Sequence, residues 1–303
     1  MPQAEAKALF LAYDSHSSFE SPQPRILIAD SASDPARIAS RIAFARRVGE
    51  LIDDTDEIRE RLRGHRVRFR GFDLRGEGVA PDPAEYLEGS DVTIDLGNPE
   101  YELTLVRGIR DYLALTAPRS MRQGWSHRRP RGRPFFHPSA IFPKLSRALF
   151  NLSRCREGDV FLDPFAGTGS IPMEAHMVGA SVVAVDLAER MVRGCMGNMR
   201  HFGQEWLGLI RADSTKLPIR KVGAIATDIP YGRASSTRGR PPIEMIDLLL
   251  PSLASVTAPG SIIVIMHPQD VPITDAGELS LLEEHHLYVH KLLTRAISVL
   301  ERR

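Results

Sequence analysis

Four short apolar runs, each leading into a carboxylate, constrain this chain more than any other feature. Val160–Leu162 runs into Asp163, Val182–Val185 into Asp186, Leu207–Ile210 into Arg211-Ala212-Asp213, and Gly223–Ala226 into Thr227-Asp228. Together with Ile262–Met266 they have the length and spacing of parallel strands covered on both faces. Helical patterns lie between them, notably Ile171–Val178 and Ile243–Val256. Such alternation predicts a doubly wound α/β sheet, in which ligands bind beyond the carboxyl ends of the strands.

The first acid opens Asp163-Pro164-Phe165-Ala166-Gly167-Thr168-Gly169-Ser170, between a strand and a helix. Gly167 and Gly169 let the backbone pass close to a ligand, and the helix start offers free N–H groups to an anion. Adenosylmethionine has a carboxylate to place there and an ammonium for Asp163. Asp186, 23 residues beyond Asp163, is spaced to accept from ribose hydroxyls or to cap the helix starting at Ala188. Asp213 is spaced to accept from an adenine amino group, with helix capping as the rival role. The fourth tip, Thr227-Asp228-Ile229-Pro230-Tyr231-Gly232, joins an acid, a rigid proline and an aromatic ring. Asp228 and the Ile229 carbonyl suit the N–H bonds of an exocyclic base amine, and Tyr231 suits stacking on an extruded base.

Residues 1–115 predict a small α+β region. Its expected parts are a strand at Ile26–Ala29, a helix over Pro35–Ile52, and strands at Val67–Phe69, Val92–Leu96 and Tyr101–Val106. Met1–Glu20 shows little regular pattern. Residues 116–134 read as a basic linker and 135–303 as the α/β domain, with a closing strand pair or a helix in Leu287–Leu300. Net charge is only +1, yet Tyr112–Arg156 holds ten Lys/Arg and no acid. Its arginines, among them Arg122, Arg128, Arg129, Arg131 and Arg133, form a candidate phosphate-binding strip. The two cysteines lack metal-ligand spacing, so neither zinc nor another metal is expected. No signal or membrane-spanning pattern appears, which predicts a cytoplasmic protein without a membrane partner, taken as monomeric.

The ordered motifs DPFAGTGS, AVD, RADS and TDIPYG resemble the amino-methylating adenosylmethionine-dependent methyltransferases. Upstream, Arg129-Pro130, Arg133–Pro138 and Pro143–Ala148 resemble the segment before the glycine motif in archaeal tRNA guanine-10 N2-methyltransferases. Val92–Pro99 is similar to the strand-turn signature of tRNA-binding THUMP domains, and Arg46–Leu51 and Leu293–Ile297 are also similar to that family. The resemblance covers most of the chain, most specifically His127–Tyr231. It implies a THUMP-like α+β RNA-binding domain followed by a Rossmann-like class I methyltransferase domain with a mostly parallel seven-stranded sheet. S-adenosylmethionine would be the cofactor, lined by Asp163, Phe165, Gly167, Gly169, Asp186 and Asp213. Asp228, Ile229, Pro230 and Tyr231 would hold the guanine amine of a tRNA. The family has proline where Ile229 stands, and the N-terminal region is short for the family. The alternatives are the same chemistry on ribosomal RNA or on DNA adenine N6, and a non-catalytic RNA-binding role; the glycine-first motif order and the THUMP-like strand weigh against DNA.

Overall fold

The computed structural model describes residues 1–74, 82–116, 124–230, 241–290 and 293–303. Two compact units emerge: residues 1–15, 42–44 and 124–303 form the larger, and 16–41 with 45–123 the smaller.

The chain opens with helix α1 (Pro2–Tyr13), which starts on a proline and buries Ala8, Leu9 and Ala12. Its alanines pack without a strong apolar stripe, so the sequence pattern gives little sign of it. Ala8 joins Leu149 and Phe150 in the larger unit's core. Residues 1–15, expected with the first region, therefore belong to the α/β unit.

Strands β1 (Ser18–Glu20) and β2 (Ile28–Asp30) form an antiparallel pair. Helix α2 (Pro35–Arg41) is shorter than the expected Pro35–Ile52. The N–H groups of Ala43 and Phe44, which would continue the helix, donate instead to the Glu5 carboxylate at 2.8 and 2.9 Å. Glu50–Leu51 then becomes strand β3. Helix α3 (Thr55–Leu62) starts at Asp54, whose side chain accepts from the Asp56 N–H, and buries Ile58 and Leu62 four residues apart. Strands β4 (Arg66–Asp73), β5 (Thr93–Ile94), β6 (Tyr101–Arg107) and β7 (Asp111–Thr116) complete a sheet of order β3-β7-β6-β4-β5. Ile58, Leu62, Val67, Leu103 and Leu105 fill its core. The expected strand Val92–Leu96 contracts to β5, because Asp95 turns the chain by accepting from the N–H groups of Gly97 and Asn98.

The larger unit continues through α4 (Pro143–Leu152), β8 (Val160–Asp163), α5 (Ser170–Val178), β9 (Ser181–Asp186), α6 (Glu189–His201) and β10 (Gly208–Arg211). Then follow β11 (Ala224–Asp228), α7 (Pro242–Val256), β12 (Ile262–Pro268), β13 (Leu279–His290) and β14 (Leu293–Arg302). The seven strands run in the order β10-β9-β8-β11-β12-β14-β13. The first five are mutually parallel, and β14 is antiparallel to both neighbours. Leu249, Leu253, Ile225 and Ile263 pack one face, while Leu149, Phe150, Phe161 and Val264 pack the other. Burial on both faces is what makes the strand runs continuously apolar. The same cause left Leu292–Leu300 ambiguous: β14 is buried from Arg295 to Leu300, with no alternation to separate strand from helix. Pairing with β12 decides it in favour of strands. Among the described residues no helix is long and apolar enough to cross a membrane.

Candidate active site

Strand order reverses between β8 and β11, the position where doubly wound sheets open a crevice at their carboxyl edge. Asp163, the last residue of β8, is buried there. One carboxylate oxygen accepts from the Phe165 N–H at 3.1 Å and the Thr227 hydroxyl at 2.7 Å. Burial pushes its carboxyl up to about 7 against those hydrogen bonds, with Asp228 and Asp186 adding to the rise. A cationic ligand group would relieve this.

The loop beyond Asp163 carries two left-handed glycines for different reasons. At Gly169 (φ 84°) an added Cβ would lie 2.7 Å from the Cys195 sulfur, so close packing on α6 requires glycine. At Gly167 (φ 51°) a Cβ would meet nothing nearer than the Phe165 carbonyl oxygen at 3.9 Å, so the loop has room on this side. Helix α5 starts at Gly169 without a side-chain cap.

Asp186 holds this loop. Its two oxygens accept from the N–H groups of Gly167 at 3.0 Å and Ala188 at 2.8 Å. Burial raises its carboxyl above the usual range. Asp213 has the capping geometry weighed against adenine binding: it accepts from the Thr215 N–H and hydroxyl at 3.0 and 2.8 Å. The next residue, Ser214, donates to the Pro164 carbonyl. Phe165 leans on the core beside α7.

The fourth tip stands beside the first. Asp228 ends β11 and keeps 18% of its side-chain surface exposed. Arg295 donates to both of its oxygens, Nη1 to Oδ2 at 3.0 Å and Nη2 to Oδ1 at 2.7 Å. Burial pushes the Asp228 carboxyl up to about 6, and Arg295 opposes that rise. Ile229 is fully buried, and its N–H donates to the Met266 carbonyl at 2.9 Å. That bond fixes the tip where the family's proline would have restricted φ. Pro230 follows, and Tyr231 lies outside the described residues. Sequence reading gave Arg295 no role of its own, although it heads an apolar run and lies within the Leu293–Ile297 segment that resembles the family.

The basic strip divides. Arg122 lies outside the described residues. Arg129 and Arg131 are exposed, as a phosphate-binding strip requires, but Arg128 and Arg133 are 5% and 6% exposed. Their assignment as surface phosphate contacts is corrected by their partners. Arg128 donates to Glu174 at 2.7 Å, and Arg147 reaches the other oxygen of Glu174 at 2.9 Å. The Arg128 guanidinium also lies 5.1 Å from the centroid of the Trp125 ring. Arg133 donates to the Ser170 hydroxyl at 2.6 Å and to the Arg128 carbonyl at 3.0 Å. A guanidinium enclosed this way brackets the glycine loop from behind and is closed to a polyanion. Asn198, also missed, joins the same assembly: its amide bonds the Phe135 N–H and carbonyl and the Thr168 carbonyl.

Strand order, glycine loop and strand-tip acids define a Rossmann-like methyltransferase domain, and residues 130–295 match the family described as "RMKL-like, methyltransferase domain". The chain is 33% identical over 287 residues to the tRNA (guanine(10)-N2)-dimethyltransferase of Methanothermobacter thermautotrophicus, spanning 88% of this chain and 84% of that protein. It belongs to that family of methyltransferases. The Methanocaldococcus jannaschii protein of the same name is 33% identical over 59% of this chain and 51% of its own length. The crystal structure of TrmN from Thermus thermophilus shares the fold at TM-score 0.51 and 18% identity, covering 100% of this chain and 96% of that one.

Proposed function

We propose that this chain transfers a methyl group from S-adenosylmethionine to the exocyclic N2 amine of a guanine in tRNA, at position 10 as the relatives' names state. The observation that carries this reading is that Asp163 and Asp228 end neighbouring parallel strands, so the glycine loop and the Asp228-Ile229-Pro230 tip share one edge of the sheet. The relatives named for guanine-10 supply the substrate class.

The residues suit the cofactor. Asp163 matches an ammonium, the uncapped start of α5 matches a carboxylate, and Asp186 matches ribose hydroxyls. Phe165, Gly167 and Gly169 would shape the wall of the site, and Asp213, alongside its capping of Thr215, would accept from the adenine amine. When bound, the cofactor supplies an electrophilic methyl group on sulfur. The chain's own contribution is orientation and electrostatics. Asp228 and the Ile229 carbonyl accept the two amine N–H bonds, which frees a nitrogen lone pair otherwise delocalised into the ring. That pair would then be aimed at the donated methyl, and Asp228 would take up the proton the methylated amine loses and pass it to solvent. Tyr231 is assigned to stacking on the flipped base. The exposed Arg129 and Arg131 and the THUMP-like smaller unit are assigned to tRNA binding in the cytoplasm, with the chain acting as a monomer.

Incubation with methyl-labelled cofactor and unmodified tRNA, followed by mapping of the label, tests the reading. Label on N2 of guanine-10 is expected, and the count of methyls per nucleotide separates one transfer from two. Label elsewhere, or on ribosomal RNA or DNA alone, would refute it.

Asp186→Ala is expected to weaken cofactor binding by about tenfold or more, through lost charge-assisted hydrogen bonds and a loosened Gly167. An unchanged affinity by calorimetry would remove Asp186 from the site. Replacing Arg129 and Arg131 together with Ala is expected to weaken tRNA binding. It should also reduce the slope of log K against log salt by about one per lost phosphate contact. Filter binding across a salt series measures both, and an unaltered slope would make this segment a spacer.

A further inference from the structure

We propose that Arg295 is a positioning residue for methyl transfer, holding Asp228 as an ionised, correctly oriented acceptor for the base amine. The proposal rests on the amino-methyltransferase reading of the site and deepens it, because neither the motifs nor the family comparison assigns Arg295 a role.

The topology explains how the residue arrives. Strand β14 runs antiparallel to β12, so its amino-terminal end lies at the carboxyl edge of the parallel strands. Arg295 pairs with Pro268 in that register, while Asp228 pairs with Met266 on the other side of β12. The guanidinium therefore reaches over the end of β12 to the tip of β11. It is 5% exposed and meets both carboxylate oxygens in a fork geometry. A carboxylate has about four lone-pair sites, so two bonds to Arg295 fix its plane and leave acceptor capacity for an amine.

The charged surroundings give the fork a chemical purpose. Asp163 ends the neighbouring strand β8, and its own carboxyl is raised by burial first and then by the charges of Asp228 and Asp186. From β12, His267 is held by Ser298 and the Pro268 carbonyl. It faces Arg295 and Glu284 of β13, and burial lowers its basicity. Among the described groups around Asp228, Arg295 is the cation that opposes the effect of burial. Without it, burial would act on the carboxyl unopposed and favour the protonated form. A protonated Asp228 offers the amine an O–H where it needs an acceptor, and it cannot take up the departing proton.

Arg295→Gln and Arg295→Lys test this by two measurements. The first is the carbon-13 shift of the Asp228 carboxyl against pH in protein labelled at aspartate, assigned with Asp228→Asn. Its midpoint should rise by about one unit or more in the Gln variant and by less in the Lys variant, which keeps the charge and loses the fork. The second is kcat/KM for tRNA against pH. The acidic limb should move up by the same amount, so that a one-unit rise costs the Gln variant about tenfold at pH 5 and about twofold at pH 7, with recovery at higher pH and KM little altered. A purely structural role would lower activity equally at all pH values. An unmoved Asp228 midpoint in both variants overturns the proposal. A raised midpoint with an unmoved activity profile also overturns it, because Asp228 is then not the acceptor. If the wild-type chain leaves tRNA unmethylated, the functional reading fails on its own, while the carboxyl titration still decides whether Arg295 sets the charge of Asp228.

Discussion

Asp228→Asn is expected to lower kcat/KM for tRNA methylation by about 10²- to 10³-fold, the range seen when one preorganised electrostatic contact to a transition state is removed. The amide keeps the size of the side chain and one acceptor oxygen, but it loses the charge that stabilises positive charge growing on the base nitrogen. Cofactor affinity should be little altered, since Asp163 and Asp186 remain. Asparagine is a cleaner choice than alanine for a structural reason. Arg295 is buried against Asp228, and truncation to alanine would strand its charge at a cost of about 3–5 kcal/mol. Initial rates together with cofactor calorimetry check the result, and full activity in the Asn variant would remove Asp228 from the mechanism.

The largest expected effect on stability lies away from the reacting groups. Glu174 is 1% exposed; one of its oxygens accepts from Arg128 at 2.7 Å, and the other accepts from Arg147 at 2.9 Å and from Arg128 at 3.3 Å. Breaking a buried ion pair by deleting one partner destabilises by about 3–5 kcal/mol, and Glu174→Ala leaves two guanidiniums without their anion. For a unit of this size that corresponds to a fall in Tm on the order of 10 °C or more. Glu174→Gln, which keeps an acceptor for each arginine's N–H groups, should fall between that variant and the wild type. Thermal unfolding followed by circular dichroism measures the series. Equal melting of all three proteins would show that the arginines find other partners.

The central sheet was legible because β8, β9, β11 and β12 are largely buried on both faces and bounded by turns, leaving unbroken apolar runs of strand length, and the half-buried edge strand β10 still carries such a run. The acids at their ends were legible for the same reason, since a carboxylate closing such a run has few places to go but the edge. Other elements were hidden by physics that a linear pattern does not carry. Helix α2 was overextended because its end depends on Glu5, 38 residues from Ala43. Helix α1 escaped notice because alanine packs closely without making a contrasted face. Arg128 and Arg133 were misplaced because a run of arginines looks the same whether it meets phosphate or a buried glutamate such as Glu174. Arg295 went unassigned because its partner lies 67 residues upstream, and only the antiparallel course of β14 brings the two together.

One consequence concerns inheritance. Helix α5 carries the glycine loop at its start and Glu174 on its second turn, so a single helix anchors both the donor pocket and the arginines behind it. Substitutions at Arg128, Arg147 and Glu174 should therefore travel together through descent, each tolerated only when its partners shift as well. Arg129 and Arg131, exposed and without an ion pair among the described residues, can drift along the segment as long as positive charge stays near the surface. Across related proteins, two arginines four positions or fewer from one another would then evolve at different tempos: the enclosed one tied to a glutamate 46 residues away, and the open one answering to the overall charge of its surroundings.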